Sequence, residues 1–243
     1  MSSQMLNENT FASVGPQRGA STMTLTGTVA KSGVFLVLSL LFGAVGWNVG
    51  LDWFSESSGL WWLIGYFALI GLTIATATNP DLALPVGILY SLLMGFWMGA
   101  VSRVYEEAYD GIVAQALLAS VSAFLSCLVL YLVRAVRVTP KLTRTIITAT
   151  FGILIMYVAA WILSLFGVDL LLLSQPTTTG ILLSVGICLV AAFNLFLDFA
   201  VIENGIKQGA PSTMEWYAAL GLLSTLVWLY AELLRLIALL RSR

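Results

Sequence analysis

The chain has 243 residues, 59% of them apolar and 9% charged, with a net charge of −1, no histidine and a mean hydropathy of +0.96. A soluble domain carries about 25% charged residues, so this composition excludes an ordinary water-facing surface. The missing histidine excludes a Ser-His-Asp triad, His-ligated zinc or haem, and histidine pH sensing.

Residues 1–28 are rich in Ser, Thr, Asn, Gln and Gly and are expected to form a flexible polar N-terminal tail. No apolar run follows a basic start within the first 30 residues, so no signal peptide is expected. The first span then serves as its own insertion signal. Residues 29–243 are expected to form one transmembrane domain. The segments 32–51, 57–80, 82–102, 111–133, 145–168 and 170–197 contain no Asp, Glu, Lys or Arg. Each approaches or exceeds the roughly 20 residues that a bilayer-spanning helix needs. A seventh segment, 216–231, stops at Glu232, and apolar character resumes through Leu240.

Runs such as 151–163 and 170–173 are apolar on every face, unlike the alternating strands of a membrane barrel. Helices satisfy their own backbone in hydrocarbon. The expected fold is therefore an all-α integral membrane bundle of seven transmembrane helices, at about 31–50, 59–78, 83–104, 111–133, 144–167, 178–205 and 216–240. Asn79-Pro80-Asp81, Thr139-Pro140, Gln175-Pro176 and Gly209-Ala210-Pro211 supply the breaks. Trp47, Trp53, Trp61, Trp62 and Trp216 fall near span ends, as interfacial aromatics do. Gly95 and Gly99 form a G-x-x-x-G spacing, read as close helix packing inside one bundle. Cys127 and Cys188 both fall inside spans and read as small packing residues.

With the N-terminus in the cytoplasm, inside segments carry Arg18, Lys31, Arg134, Arg137, Lys141, Arg144 and Lys207. Outside segments carry Arg103, Arg235, Arg241 and Arg243. The four basic residues between spans four and five weigh most in this orientation. They lie at a membrane boundary and give no nucleic-acid signal. There is no P-loop, and span seven has no lysine for a retinal Schiff base. The chain is not expected to be an enzyme and needs no cofactor.

Charges inside spans are costly and therefore informative. Asn194 and Asp198 are four apart, hence on one face of helix six. Asp198 reads either as an interfacial residue or as part of a site inside the bundle. Thr225, Trp228, Glu232 and Arg235 form a polar stripe along helix seven, with Glu232 and Arg235 placed to neutralise each other or to line an ion path. Glu203 and Lys207 are a favourable i,i+4 pair beyond the end of span six. Glu106, Glu107 and Asp110, beside Arg103, form a solvated loop or an acidic outer vestibule that concentrates cations.

One ordered series of motifs carries a resemblance. It runs through Asn79-Pro-Asp81, Gly95-Phe-Trp-Met-Gly-Ala-Val-Ser102, Tyr109-Asp-Gly-Ile-Val-Ala-Gln115 and Arg137-Val-Thr-Pro-Lys141. It continues through Leu197-Asp-Phe-Ala-Val-Ile-Glu203, Gly209-Ala-Pro-Ser-Thr-Met-Glu-Trp-Tyr217 and Leu226-Val-Trp-Leu-Tyr-Ala-Glu-Leu-Leu-Arg235. Over about residues 20–243 the chain resembles the bacterial branch of the Bax-inhibitor (transmembrane Bax inhibitor motif) family. The resemblance implies a bundle with helix seven central, and a pH-sensitive calcium leak in the bacterial cytoplasmic membrane. Calcium is then a permeant ion and the lipid bilayer a partner. The alternative, seen in some bacterial relatives, is a non-conducting regulator that binds a membrane protease or another helical partner. Leak members of the family share a proton between two aspartates, on helices six and seven. Asp198 matches the first, whereas Thr225 stands at the second. Without that second carboxylate, Glu232, two turns further along helix seven, is the rival pH sensor. Asp198 is expected to hold calcium weakly, with Asn194 and Thr225 as neighbouring oxygen donors.

Overall fold

The computed structural model describes residues 21–56, 60–167 and 175–243. The expected tail through residue 20, the run 170–173 and the side chains of Trp53, Trp61 and Trp62 lie outside the described residues. Seven α-helices follow one another in the described chain: α1 Leu25–Glu56, α2 Leu60–Thr78, α3 Ala83–Ala108, α4 Ile112–Leu132, α5 Pro140–Leu165, α6 Thr178–Lys207 and α7 Met214–Arg241. A short 3-10 turn, Pro80–Leu82, separates α2 from α3. Among the described residues there is no strand, and Thr22 and Pro211 form an isolated antiparallel bridge. Six of the helices are long and apolar enough to cross a membrane. In α2 the described apolar stretch is shorter, Phe67–Thr78.

The expected breaks act through their side chains and dihedrals. Thr139 is extended and its hydroxyl caps the Leu142 amide at 3.2 Å, while Pro140 takes the first helical position of α5. Gly209 adopts φ +67°, and the Ala210 amide reaches back to the Gly205 carbonyl at 3.0 Å, which closes α6. Lys207 pairs with Glu203 on the last turns of α6, as their spacing predicts.

Helix α1 starts at Leu25, earlier than the predicted 31, and residues 21–28 are built into the fold. The reason is a contact remote in sequence. The Met23 amide donates to the Ala210 carbonyl at 2.7 Å and the Ser212 amide to Ser21 at 2.8 Å. The Thr24 hydroxyl accepts from the Gly27 amide at 3.0 Å, capping α1. That hydroxyl and the Thr24 amide both donate to Glu215 Oε1, at 3.0 and 2.8 Å. Lys31 Nζ closes the cluster on Glu215 Oε2 at 2.7 Å and the Ser212 carbonyl at 2.8 Å. Trp216 packs against Phe35 with the rings tilted by 50°, and lies under the Lys31 ammonium, 4.9 Å from its ring centroid.

The described residues divide into two compact units, one drawn from 108–197 and 225–243, the other from 21–107 and 198–224. In the second unit α1 and α3 meet along a glycine seam. A Cβ on Gly99 would collide with the Gly43 backbone, one on Gly46 with the Phe96 backbone, and one on Gly95 with Ser39. The G-x-x-x-G spacing thus serves packing within the chain, letting two backbones approach closely. In the first unit, Leu118, Ile155 and Leu182 are each exposed by 65–70%. Such surfaces suit lipid rather than water. In α6 and α7 half of the most apolar stretch is buried, against 11–33% in the other membrane-capable helices.

The seam generates a test. Gly99→Ala is expected to destabilise the protein by about 1–3 kcal/mol, the usual range for overpacking. Gly71→Ala, with nothing within 4 Å of its added Cβ, is expected to be neutral or slightly stabilising, since alanine favours helix. Thermal unfolding in detergent reads both. Equal melting of the two variants would contradict the seam.

Candidate functional site

Helices α5 and α7 build one buried polar cluster from the stripe seen in the sequence. Glu232 is 5% exposed. Its Oε1 accepts from the Tyr157 hydroxyl at 2.6 Å and from the Trp228 indole nitrogen, one turn back on α7, at 3.1 Å. Its Oε2 meets Arg235 Nη2 as an ion-pair contact at 3.2 Å. Arg235 Nη1 donates in turn to the Tyr157 oxygen, and the guanidinium lies 5.4 Å from the Tyr157 ring centroid. The pairing of Glu232 with Arg235, one of the two readings of the stripe, is therefore present. Tyr157 carries no signal in the sequence, because a tyrosine inside an apolar run has no periodic signature. The i,i+3 spacing lets α7 pair its own charges, while the Tyr157 hydroxyl both donates to the carboxylate and accepts from the guanidinium.

Helix α6 carries the other candidate residues. Asn194 is fully buried, and its Nδ2 donates to Thr150 Oγ1 on α5 at 2.9 Å and to the Val190 carbonyl at 2.8 Å. A carbonyl can only accept, so the amide nitrogen must face Val190 and the orientation of the side chain is settled. Its Oδ1 is then a buried acceptor with no hydrogen-bond donor among the described residues. Thr150 was not singled out by the sequence either. One turn on from Asn194, Asp198 is fully buried, and on α7 Thr225 is fully buried too. Among the described residues no three His, Cys, Asp or Glu side chains converge as a metal cage.

Glu106 and Glu107, expected in a solvated loop, instead lie on the last turn of α3, which runs on to Ala108, and Asp110 follows it. Glu107 binds Arg103 Nε at 2.8 Å, and Arg103 also reaches the Trp47 carbonyl at 3.2 Å. Glu106 is half-buried. Asp110 is exposed, and its main-chain carbonyl accepts from Arg241 at 2.7 Å. Cys127 and Cys188 are buried, with the Cys127 thiol 3.7 Å from the Ala192 carbonyl.

An all-helical chain with lipid-suited faces, whose interior carries paired charge, is a multi-pass membrane protein. The chain belongs to the Bax inhibitor 1 like family, whose family model matches residues 3–242, essentially its whole length. Neither the comparison with curated proteins nor that with solved structures returned a match.

The Glu232 cluster predicts an asymmetric mutant pattern. Glu232→Gln leaves the Arg235 charge uncompensated and should destabilise the fold by ~3 kcal/mol. Adding Arg235→Gln should restore part of that loss. Thermal unfolding of the two single variants and the double variant gives the coupling. Losses that simply add would show that the two charges do not support each other.

Proposed function

We propose that this protein is a pH-sensitive leak for calcium or similar cations in the bacterial cytoplasmic membrane. In this reading α2 is the seventh span, α7 is the central helix, and the N-terminus is cytoplasmic. The observation that carries the proposal is the complete burial of Asp198 on a membrane-capable helix. Carboxylates at membrane depth are expensive, and where they persist they commonly mark ion or proton paths. The family to which the chain belongs supports the same direction.

Asp198, Asn194 and Thr225 supply a carboxylate, an amide oxygen and a hydroxyl. The unengaged Asn194 Oδ1 is suited to a passing cation, since a buried acceptor without a partner is destabilising. Calcium in a tight site takes six to eight oxygens. Each of these groups offers only one or two oxygens, and a permeation site must also release its ion. Glu232 and Arg235 provide the rival sensor, and Glu106, Glu107 and Asp110 an outer vestibule for cations.

Asp198→Asn is expected to leave the protein folded, to change calcium flux into liposomes at least about tenfold, of the order of one lost charge contact, and to remove most of its pH response. Glu232→Gln is measured beside it. An unchanged pH profile in Asp198→Asn would move the sensor to Glu232. A folded wild-type protein without flux would favour the regulator of a membrane partner.

A further inference from the structure

Ten of the chain's basic residues lie in the described segments, and six of them are engaged. Lys31, Arg103, Lys207 and Arg235 each sit on a carboxylate. Arg241 donates to the Asp110 carbonyl and Arg243 to the Thr178 hydroxyl. The remaining four, Arg134, Arg137, Lys141 and Arg144, are exposed and form no ion pair among the described residues. They surround the short connection from α4 to α5. The whole stretch 111–168 contains no Asp or Glu, so nothing local offsets them.

We infer that this connection is a binding site for anionic phospholipid headgroups of the surrounding bilayer. Charge complementarity is the first argument. Four cations at a membrane boundary attract anionic lipid, each contributing to the preference, and guanidinium groups match phosphate oxygens in bidentate geometry. Their long stems let the charges reach the headgroup level while the methylenes stay in apolar surroundings. The second argument is the apolar surface that continues from the charges. Leu132 and Val133 at the end of α4 are 64% and 66% exposed, and Leu125 and Val129 prolong that surface. On α5, Phe151 and Ile155 are exposed as well. A phospholipid has both parts: an anion for the loop and acyl chains for these faces. A soluble acidic segment would match the charges alone. The inference does not depend on ion conduction.

The test offers the purified full-length protein, in neutral detergent, equal amounts of phosphatidylglycerol and phosphatidylcholine. Native mass spectrometry counts the lipid retained. The wild type is expected to retain phosphatidylglycerol preferentially. Each neutralised charge should lower that preference about fivefold, so the fourfold variant Arg134→Gln, Arg137→Gln, Lys141→Gln, Arg144→Gln should lose it. Charge-keeping replacement of the three arginines by lysine should preserve most of it, and Lys207→Gln should change nothing. A melting curve checks folding. Should the fourfold variant not fold, the pair Lys141→Gln, Arg144→Gln carries the test with a loss of about 25-fold. Equal retention of both lipids by the wild type, or an undiminished preference in the folded fourfold variant, would overturn the inference. So would binding of a polyglutamate peptide without lipid preference, which would assign the loop to an acidic protein partner.

Discussion

A charge carried into hydrocarbon must find a partner there or be held in a polar interior, and the placement of the buried groups in this chain follows from that constraint. Glu232 has three partners: a phenol, an indole and a guanidinium. Glu215 has Thr24 and Lys31. Each carboxylate also ties helices together. Glu232 links α7 to α5, and Glu215 links the start of α7 to the start of α1. The apolar remainder of the helices needs no such matching and faces outward freely, as Leu118 and Ile155 do.

Helices α6 and α7 bury the largest share of their apolar length and also hold the fully buried polar residues Ser184, Asn194, Asp198 and Thr225. Polar groups in such helices belong to the protein interior and not to lipid. Asn194 illustrates the consequence. Its amide nitrogen is fully used, and its oxygen is left for something other than a described protein donor. The proposed leak makes use of that oxygen and of the neighbouring carboxylate.

Much of the helix pattern was legible because charge-free length and proline breaks are local signals. Pro140 and Gly209 end or begin helices where expected. The Glu232–Arg235 pair and the Gly95–Gly99 seam were also legible, since both partners of each lie on one helix at helical spacing. The seam's counterpart, Gly43 and Gly46 on α1, could be suspected only as scattered glycines. What the sequence hid was long-range pairing. Thr24 and Glu215 are 191 positions apart, and Tyr157 and Glu232 are 75 apart. No periodicity announces such contacts. The early start of α1 depends on the first of them, so the local pattern alone places that start later. Thr150 was hidden for the same reason: a threonine in an apolar helix reads as neutral until Asn194 is set against it.

The central claim is that buried oxygen donors on α6 and α7 let a cation pass. Calcium uptake into liposomes containing purified wild-type protein, followed by an internal indicator across acid to neutral pH, tests it most directly. The account predicts uptake well above that of protein-free liposomes, varying with pH. Uptake equal to that of protein-free liposomes at every pH, with the protein shown to be folded and inserted, would contradict it.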